Sequence, residues 1–279
     1  MCAKPYTRAM QLRRHASGFS LVELAIVLVI LGLLVGGILA GRALIRASEL
    51  RSIGTDLNRY KTAVMAFKDK YFALPGDMPN ATAFWGAADG NDGLGLDCYE
   101  TDSTGLQTTC NGDGNTGIQY SSINYGNEKF RSWQHLANAG LIEGTYSGQA
   151  SVTTGASTRS VGADPSPRLP ASKLAGAWYD MHWVGNCGSS SSWCWEGSYR
   201  NTIYVGTPDS AGDLLEKGVM TGADMWNIDT KIDDGVPATG RIRTYKGRPL
   251  CNLSSSNGAE YNLSSTSTID CHIIYITGY

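Results

Sequence analysis

One stretch limits the folds open to this chain more than any other: from Leu24 to Gly41 there is no charged residue, and the run is rich in Leu, Ile and Val. About 20 apolar residues in a helix cross a bilayer core, and a helix satisfies its own backbone there. The run therefore predicts a membrane-inserted helix. Lys4, Arg8, Arg13 and Arg14 precede it and residues 1–18 hold no acid, so the positive-inside rule keeps the N-terminus cytoplasmic and sends the rest outward. A secretory signal peptide also begins basic and then apolar, but its apolar part is shorter and ends at a small-residue cleavage site. Here the pattern continues instead. After Arg42 no Pro occurs until Pro75, and Leu50, Ile53, Leu57, Tyr60, Val64, Phe67 and Tyr71 recur at spacings of three and four, the stripe of an amphipathic helix. One helix from about Phe19 to Phe72 is expected. Its first half is apolar all round and needs lipid or other helices; its second is apolar on one face and needs a sheet.

Beyond Leu74-Pro75-Gly76 the composition shifts to Gly, Ser, Asn and Asp, with short β-prone runs at Thr202–Val205, Arg241–Tyr245 and His272–Thr277. Helices are predicted near Lys129–Ala139, with Trp133 and Leu136 inward, and near Ala223–Ile232. The Ser/Thr/Gly/Pro-rich stretch from Ser147 to Ser172 reads as an exposed loop. The expected division is residues 1–18 as a leader, 19–74 as the helix and 75–279 as a head.

Of seven cysteines, Cys2 lies apart in the leader. The other six fall into local pairs, Cys98 with Cys110, Cys187 with Cys194 and Cys251 with Cys271, a disulfide framework formed outside the cytosol. Local pairing is favoured over the alternative connectivities because short loops cost least to close. No CxxC or Cys/His zinc spacing supports bound metal at these thiols. The net charge is −2, and losing the leader's four cations makes it about −6, so a nucleic-acid partner is not indicated.

Between leader and apolar run stands Gly18-Phe19-Ser20-Leu21-Val22-Glu23. This resembles the cleavage and methylation signature of type IV pilins and type II secretion pseudopilins. The resemblance implies a membrane peptidase that cuts after Gly18 and methylates the new terminus at Phe19. It implies an α+β fold, a long N-terminal helix packed on an antiparallel sheet head with disulfide-bonded loops. It also implies partners: identical or related subunits in a helical filament, the prepilin peptidase and an inner-membrane assembly platform. The chain would start as a single-pass inner-membrane protein and end in an extracellular or periplasmic filament. Glu23 beside a membrane span is costly unless it snorkels or meets a positive partner, and the amine created on Phe19 of a neighbouring subunit supplies one. Gly32, Gly36, Gly37 and Gly41 allow close helix contacts or weaken the helix locally. Many relatives carry Pro where this chain has Ala40.

Asn111-Gly112-Asp113-Gly114-Asn115 alternates oxygen side chains on a flexible backbone, as calcium loops do. Thr116 and Ser122 stand where an EF-hand has Gly and Glu, so a helix-loop-helix version is not expected. Asp89, Asn91 and Asp92 lie in a similar upstream tract that a Cys98–Cys110 bridge would bring near. Pseudopilins often hold calcium in a head loop, so Ca2+ is the one cofactor expectation, set against plain Asx/Gly turns. Trp178, Tyr179, His182, Trp183, Trp193 and Trp195 read as a small core beside the Cys187–Cys194 pair, with a ligand or partner surface as the alternative. His135, His182 and His272 sit in no nucleophile-elbow, HExxH or P-loop setting, and structural roles are expected. A membrane-anchored periplasmic enzyme would call for a polar stalk and a convergent catalytic set. The sequence offers neither, and a non-enzymatic filament subunit is expected.

Overall fold

The computed structural model describes residues 20–88, 108–119, 128–149, 161, 164–209, 214–264 and 268–279. Helix α1 covers Leu21–Tyr71, close to the predicted limits. Two units divide the chain, Met1–Ala47 and Ser48–Tyr279, so their boundary falls within this helix.

In the first unit every described residue from Ser20 to Ala40 is exposed. No side lacks apolar groups: Leu21, Val22, Ile26, Leu28, Leu33 and Leu39 all stand open. Glycine gaps between them are open too, for a Cβ added at Gly32, Gly36, Gly37 or Gly41 would meet nothing.

The second unit begins with the amphipathic part of α1. Ile53, Leu57, Tyr60, Ala63, Val64 and Phe67 are buried there, with Leu50 and Tyr71 packed at the margin. The stripe read from the sequence is thus the face that enters the core. Tyr60 meets Trp133 edge-on at 4.9 Å and Tyr179 at 5.0 Å between ring centroids, offset geometries that add to plain burial. The exit from α1 is a turn at Gly76, whose φ of +86° suits glycine and where a Cβ would overlap the Glu128 carbonyl. Its N–H donates to His135 Nδ1 at 2.9 Å.

Then follow α2 (Thr82–Trp85), α3 (Glu128–Asn138), β1 (Trp178–Cys187), β2 (Gly197–Gly206), α4 (Gly222–Ile232), β3 (Ile242–Arg243) and β4 (Ile273–Ile276). The strands form one antiparallel sheet in the order β1-β2-β4-β3. The fold is α+β, as expected. α3 and α4 lie within a residue or two of their predicted limits, and Trp133 and Leu136 are fully buried. α4 opens with a capping box, Thr221 and Asp224 each accepting the other's backbone N–H.

Two expectations need revision. The sequence marks β1 only as an aromatic cluster, because burial on both faces removes the period-two alternation of a half-buried strand. Tyr179, His182 and Trp195 are buried while Trp183 and Trp193 are 44% and 41% exposed, so the cluster is split between core and surface. The Ser147–Ser172 stretch is not simply exposed: Val161 and Leu169 are buried members of the main core. Its polar composition gave no sign of these two apolar anchors.

Cys187–Cys194 and Cys251–Cys271 are disulfides, as predicted. Cys110 is disulfide-bonded, and Cys98 lies outside the described residues.

Candidate assembly and processing site

Four residues set the start of α1. Ser20 Oγ accepts the Val22 N–H at 3.3 Å, and Glu23 Oε2 accepts the Ser20 N–H at 2.9 Å. The Ser20 carbonyl takes the Leu24 N–H at 3.1 Å. Ser20 thus caps the second amide of the helix while Glu23 reaches back to the cap's own N–H, one half of a capping box, and a carboxylate there also suits the positive end of the helix dipole. Sequence reasoning singled out Glu23 for charge pairing and missed this local role, although Ser-x-x-Glu before an apolar run was legible. Glu23 remains exposed. Gly18 and Phe19 lie outside the described residues.

From this cap the helix runs on as an unbroken apolar surface, with a mean hydropathy of 2.8 in its most apolar 18-residue window and none of that window buried. It is long and apolar enough to cross a membrane. Residues 13–39 match the prokaryotic N-terminal methylation motif. This chain carries the prepilin signature. That motif is shared by type IV pilins and pseudopilins, and it spans the predicted Gly18-Phe19 junction, Glu23 and most of the exposed apolar surface. No curated protein and no solved structure matches the chain. The prepilin signature, with a capped apolar helix behind it, supports a pilin-like or pseudopilin subunit with a peptidase and sister subunits as its general partners.

The calcium candidates of the head are only partly within view. Asp89, Asn91 and Asp92 lie outside the described residues. Asn111 Oδ1 accepts the Thr82 N–H at 2.9 Å, and Asn115 Oδ1 accepts the Gly117 N–H at 2.8 Å. Asp113 Oδ1 accepts the Asn115 N–H, and its Oδ2 accepts from the Asn115 amide. Asp113 and Asn115 thus close local turns, while Asn111 ties this loop to the start of α2. Asp113 also meets two acids the sequence did not nominate, Asp77 and Glu128, with one carboxylate oxygen of each within 4.8 Å of the others. Asp77 takes the N–H groups of Asn115 and Thr116, and Glu128 takes those of Asp113 and Gln119. Every oxygen of these two buried carboxylates has a backbone donor. Burial raises Glu128 to about 8 against those donors, with Asp77 and Asp113 adding to the rise. Burial and a hydrogen bond shared with Asp113 raise Asp77 to about 7. The cluster is stabilised by protons or positive charge, which neutralise like charges held close.

A second buried network ties α3 to β1. Lys129 Nζ lies 3.2 Å from Asp180 Oδ2 and His182 Nδ1 3.4 Å from it, with both Lys129 and Asp180 side chains fully buried. Burial alone would raise the Asp180 carboxyl, yet the Lys129 ammonium and His182 bring it down to about 2. His135 and His272 are each driven down to about 3, burial being the largest cause. All three histidines are buried parts of the core.

Proposed function

We propose that this chain is a structural subunit of a type IV pilus-like filament: cut between Gly18 and Phe19, N-methylated on Phe19, held in the inner membrane by α1 and then polymerised through it. The observation that carries this reading is the full exposure of an apolar helix on every side from Ser20 to Ala40. Such a surface is stable in lipid or in a bundle of identical helices and costly in water. Exchange of lipid for neighbouring helices is the physical step of assembly, and open glycine gaps let backbones approach. In this reading Glu23 receives the Phe19 amine of an adjacent subunit. A displayed pilus is favoured over a secretion filament by the size of the head, which runs from Pro75 to Tyr279 and is disulfide-stapled.

Surface filaments sheared from cells test the reading by mass spectrometry. The mature chain should begin at N-methyl-Phe19. Filament-borne protein that keeps residues 1–18 sinks it. Absence from sheared filaments, together with a block in protein secretion when the gene is deleted, assigns the chain to a secretion pseudopilus instead.

A further inference from the structure

Among the described residues three non-glycines take a left-handed backbone: Phe72, Thr116 and Arg200, at φ of +55°, +73° and +52°. Such residues are uncommon, a β-branched one above all, and they gather where a site needs an unusual chain path. Phe72 follows α1, Thr116 lies in the Asp113 loop and Arg200 stands within β2, so they are far apart in sequence. All three nonetheless line one groove of about 830 Å³ in the second unit, together with Lys68, Asp69 and Trp183.

The sheet is bent where two of its side chains enter this groove. Between Trp183 and Asn186 the pairing of β1 with β2 shifts register, with Gly185 set against Arg200, and a bulge of this kind re-aims the side chains beside it. The Trp183 indole is fitted against two glycines: a Cβ at Gly185 would meet its benzo ring at 2.7 Å, and one at Gly117 its pyrrole ring at 3.3 Å. Held in this way, the indole still stands exposed, and Phe72 is almost wholly open. Thr116 is fixed by its own bonds, its N–H donating to Asp77 Oδ2 at 2.8 Å and its carbonyl accepting from the Asn201 amide at 3.0 Å. Lys68 and Arg200 are exposed, and among the described residues neither cationic group has a hydrogen-bond or ion-pair partner. Asp77, the buried acid of the lining, gives both oxygens to backbone N–H groups. A ligand therefore meets an aromatic platform, two cations and one exposed acid, Asp69.

We propose that this groove binds a carboxylated saccharide, of the uronic-acid or sialic-acid class. The sugar follows from the mixture of surfaces: its ring offers C–H groups on its faces to the indole and hydroxyls around its rim to Asp69 and Thr116. A cleft with an apolar wall and a few placed polar groups orients a ligand of that kind. The carboxylate follows from the charges, since the Arg200 guanidinium is a two-pronged donor that matches it and Lys68 is a second cation. The left-handed backbone at Arg200 is the strain that aims this guanidinium at the groove. The groove lies wholly in the second unit and does not depend on which filament the chain enters.

Full-length protein in a detergent without a sugar headgroup tests this on immobilised oligogalacturonate, hyaluronan fragments and sialyl-lactose, beside neutral malto-, cello- and chito-oligosaccharides. Carboxylated glycans should retain the protein and neutral ones should not, and whether the uronates or the sialylated sugar hold it names the source. Calorimetric titration with the retained glycan should give an affinity that Trp183→Ala weakens at least about tenfold. Arg200→Gly removes the guanidinium and suits the backbone angle, so it should melt close to wild type while binding falls roughly tenfold or more. Trp226→Ala, at an exposed Trp of α4 that does not line the groove, should bind like wild type. Retention by no carboxylated glycan overturns the proposal, as does equal retention by neutral ones. So does binding that neither Trp183→Ala nor Arg200→Gly weakens.

Discussion

The two parts of α1 are made from similar residues and meet opposite fates. From Leu21 to Ala40 the apolar side chains are exposed on every side; from Ile53 to Phe67 they are buried along one stripe. The difference lies in what the polar positions do. In the second part Arg59, Lys61, Lys68 and Asp69 fill the outer face, so one side can face water while the other packs on Trp133 and Tyr179. In the first part no polar face exists, and every described residue from Ser20 to Ala40 stays exposed. A single helix thus divides into an exposed apolar element and an element of the folded core.

The strongest challenge to this division is at its N-terminal cap. Glu23→Ala should reduce incorporation into filaments by an order of magnitude or more in a pull-down of sheared material, while the head melts as in wild type, since about 1 kcal/mol from a lost cap acts only locally. Glu23→Gln separates two roles. Gln retains a capping-box acceptor but carries no charge, so pairing with the Phe19 amine predicts that Gln fails like Ala. Normal assembly of the Gln variant would reassign Glu23 to capping.

Next in size is a contrast of truncations. Phe67→Ala, in a fully buried position, should destabilise the head by about 3–5 kcal/mol in denaturant unfolding. Leu31→Ala, half exposed in the first part, should change the same measurement by less than about 0.5 kcal/mol. Equal effects would mean the two parts of the helix are not energetically distinct. The staple between Cys251 and Cys271 belongs to the second region only. Replacing both with Ser should cost about 2–5 kcal/mol of head stability and leave membrane insertion unchanged by carbonate extraction; a loss of insertion would couple regions that this comparison separates.

The smallest effect concerns pH, and no residue from Leu24 to Gly41 can titrate. Glu128 has a folded value of about 8, above an ordinary carboxyl near 4.3. Between these values the folded state holds the extra proton, so this group stabilises at low pH and its contribution is lost as pH rises towards 8. Glu128→Gln should therefore make stability fall less steeply than wild type from pH 5 to pH 8. His135 and His272, depressed to about 3, act in the opposite sense: their contribution is present above about 6.5 and lost as pH falls. An unchanged slope in Glu128→Gln would show that the buried carboxyl does not hold its proton.

By itself the sequence determined the elements whose cause is local or periodic. The uncharged run, the three-and-four stripe from Leu50 to Tyr71, the α3 and α4 segments and the pairing of Cys187 with Cys194 and Cys251 with Cys271 are written in spacing and composition. Helix periodicity needs only neighbours along the chain, and short disulfide loops need little more. Tertiary structure alone decided the rest. β1 became a strand because its partner on β2 and burial on both faces erase the alternation that would have announced it. Asp77 and Glu128 joined Asp113, and Asp229 was buried against Tyr261, because folding brings together groups distant in sequence. A carboxylate's chemistry depends on that surrounding: Asp113 was legible as a candidate, but whether a carboxylate's oxygens meet backbone donors, as those of Asp77 and Glu128 do, is fixed only when the chain packs and water leaves.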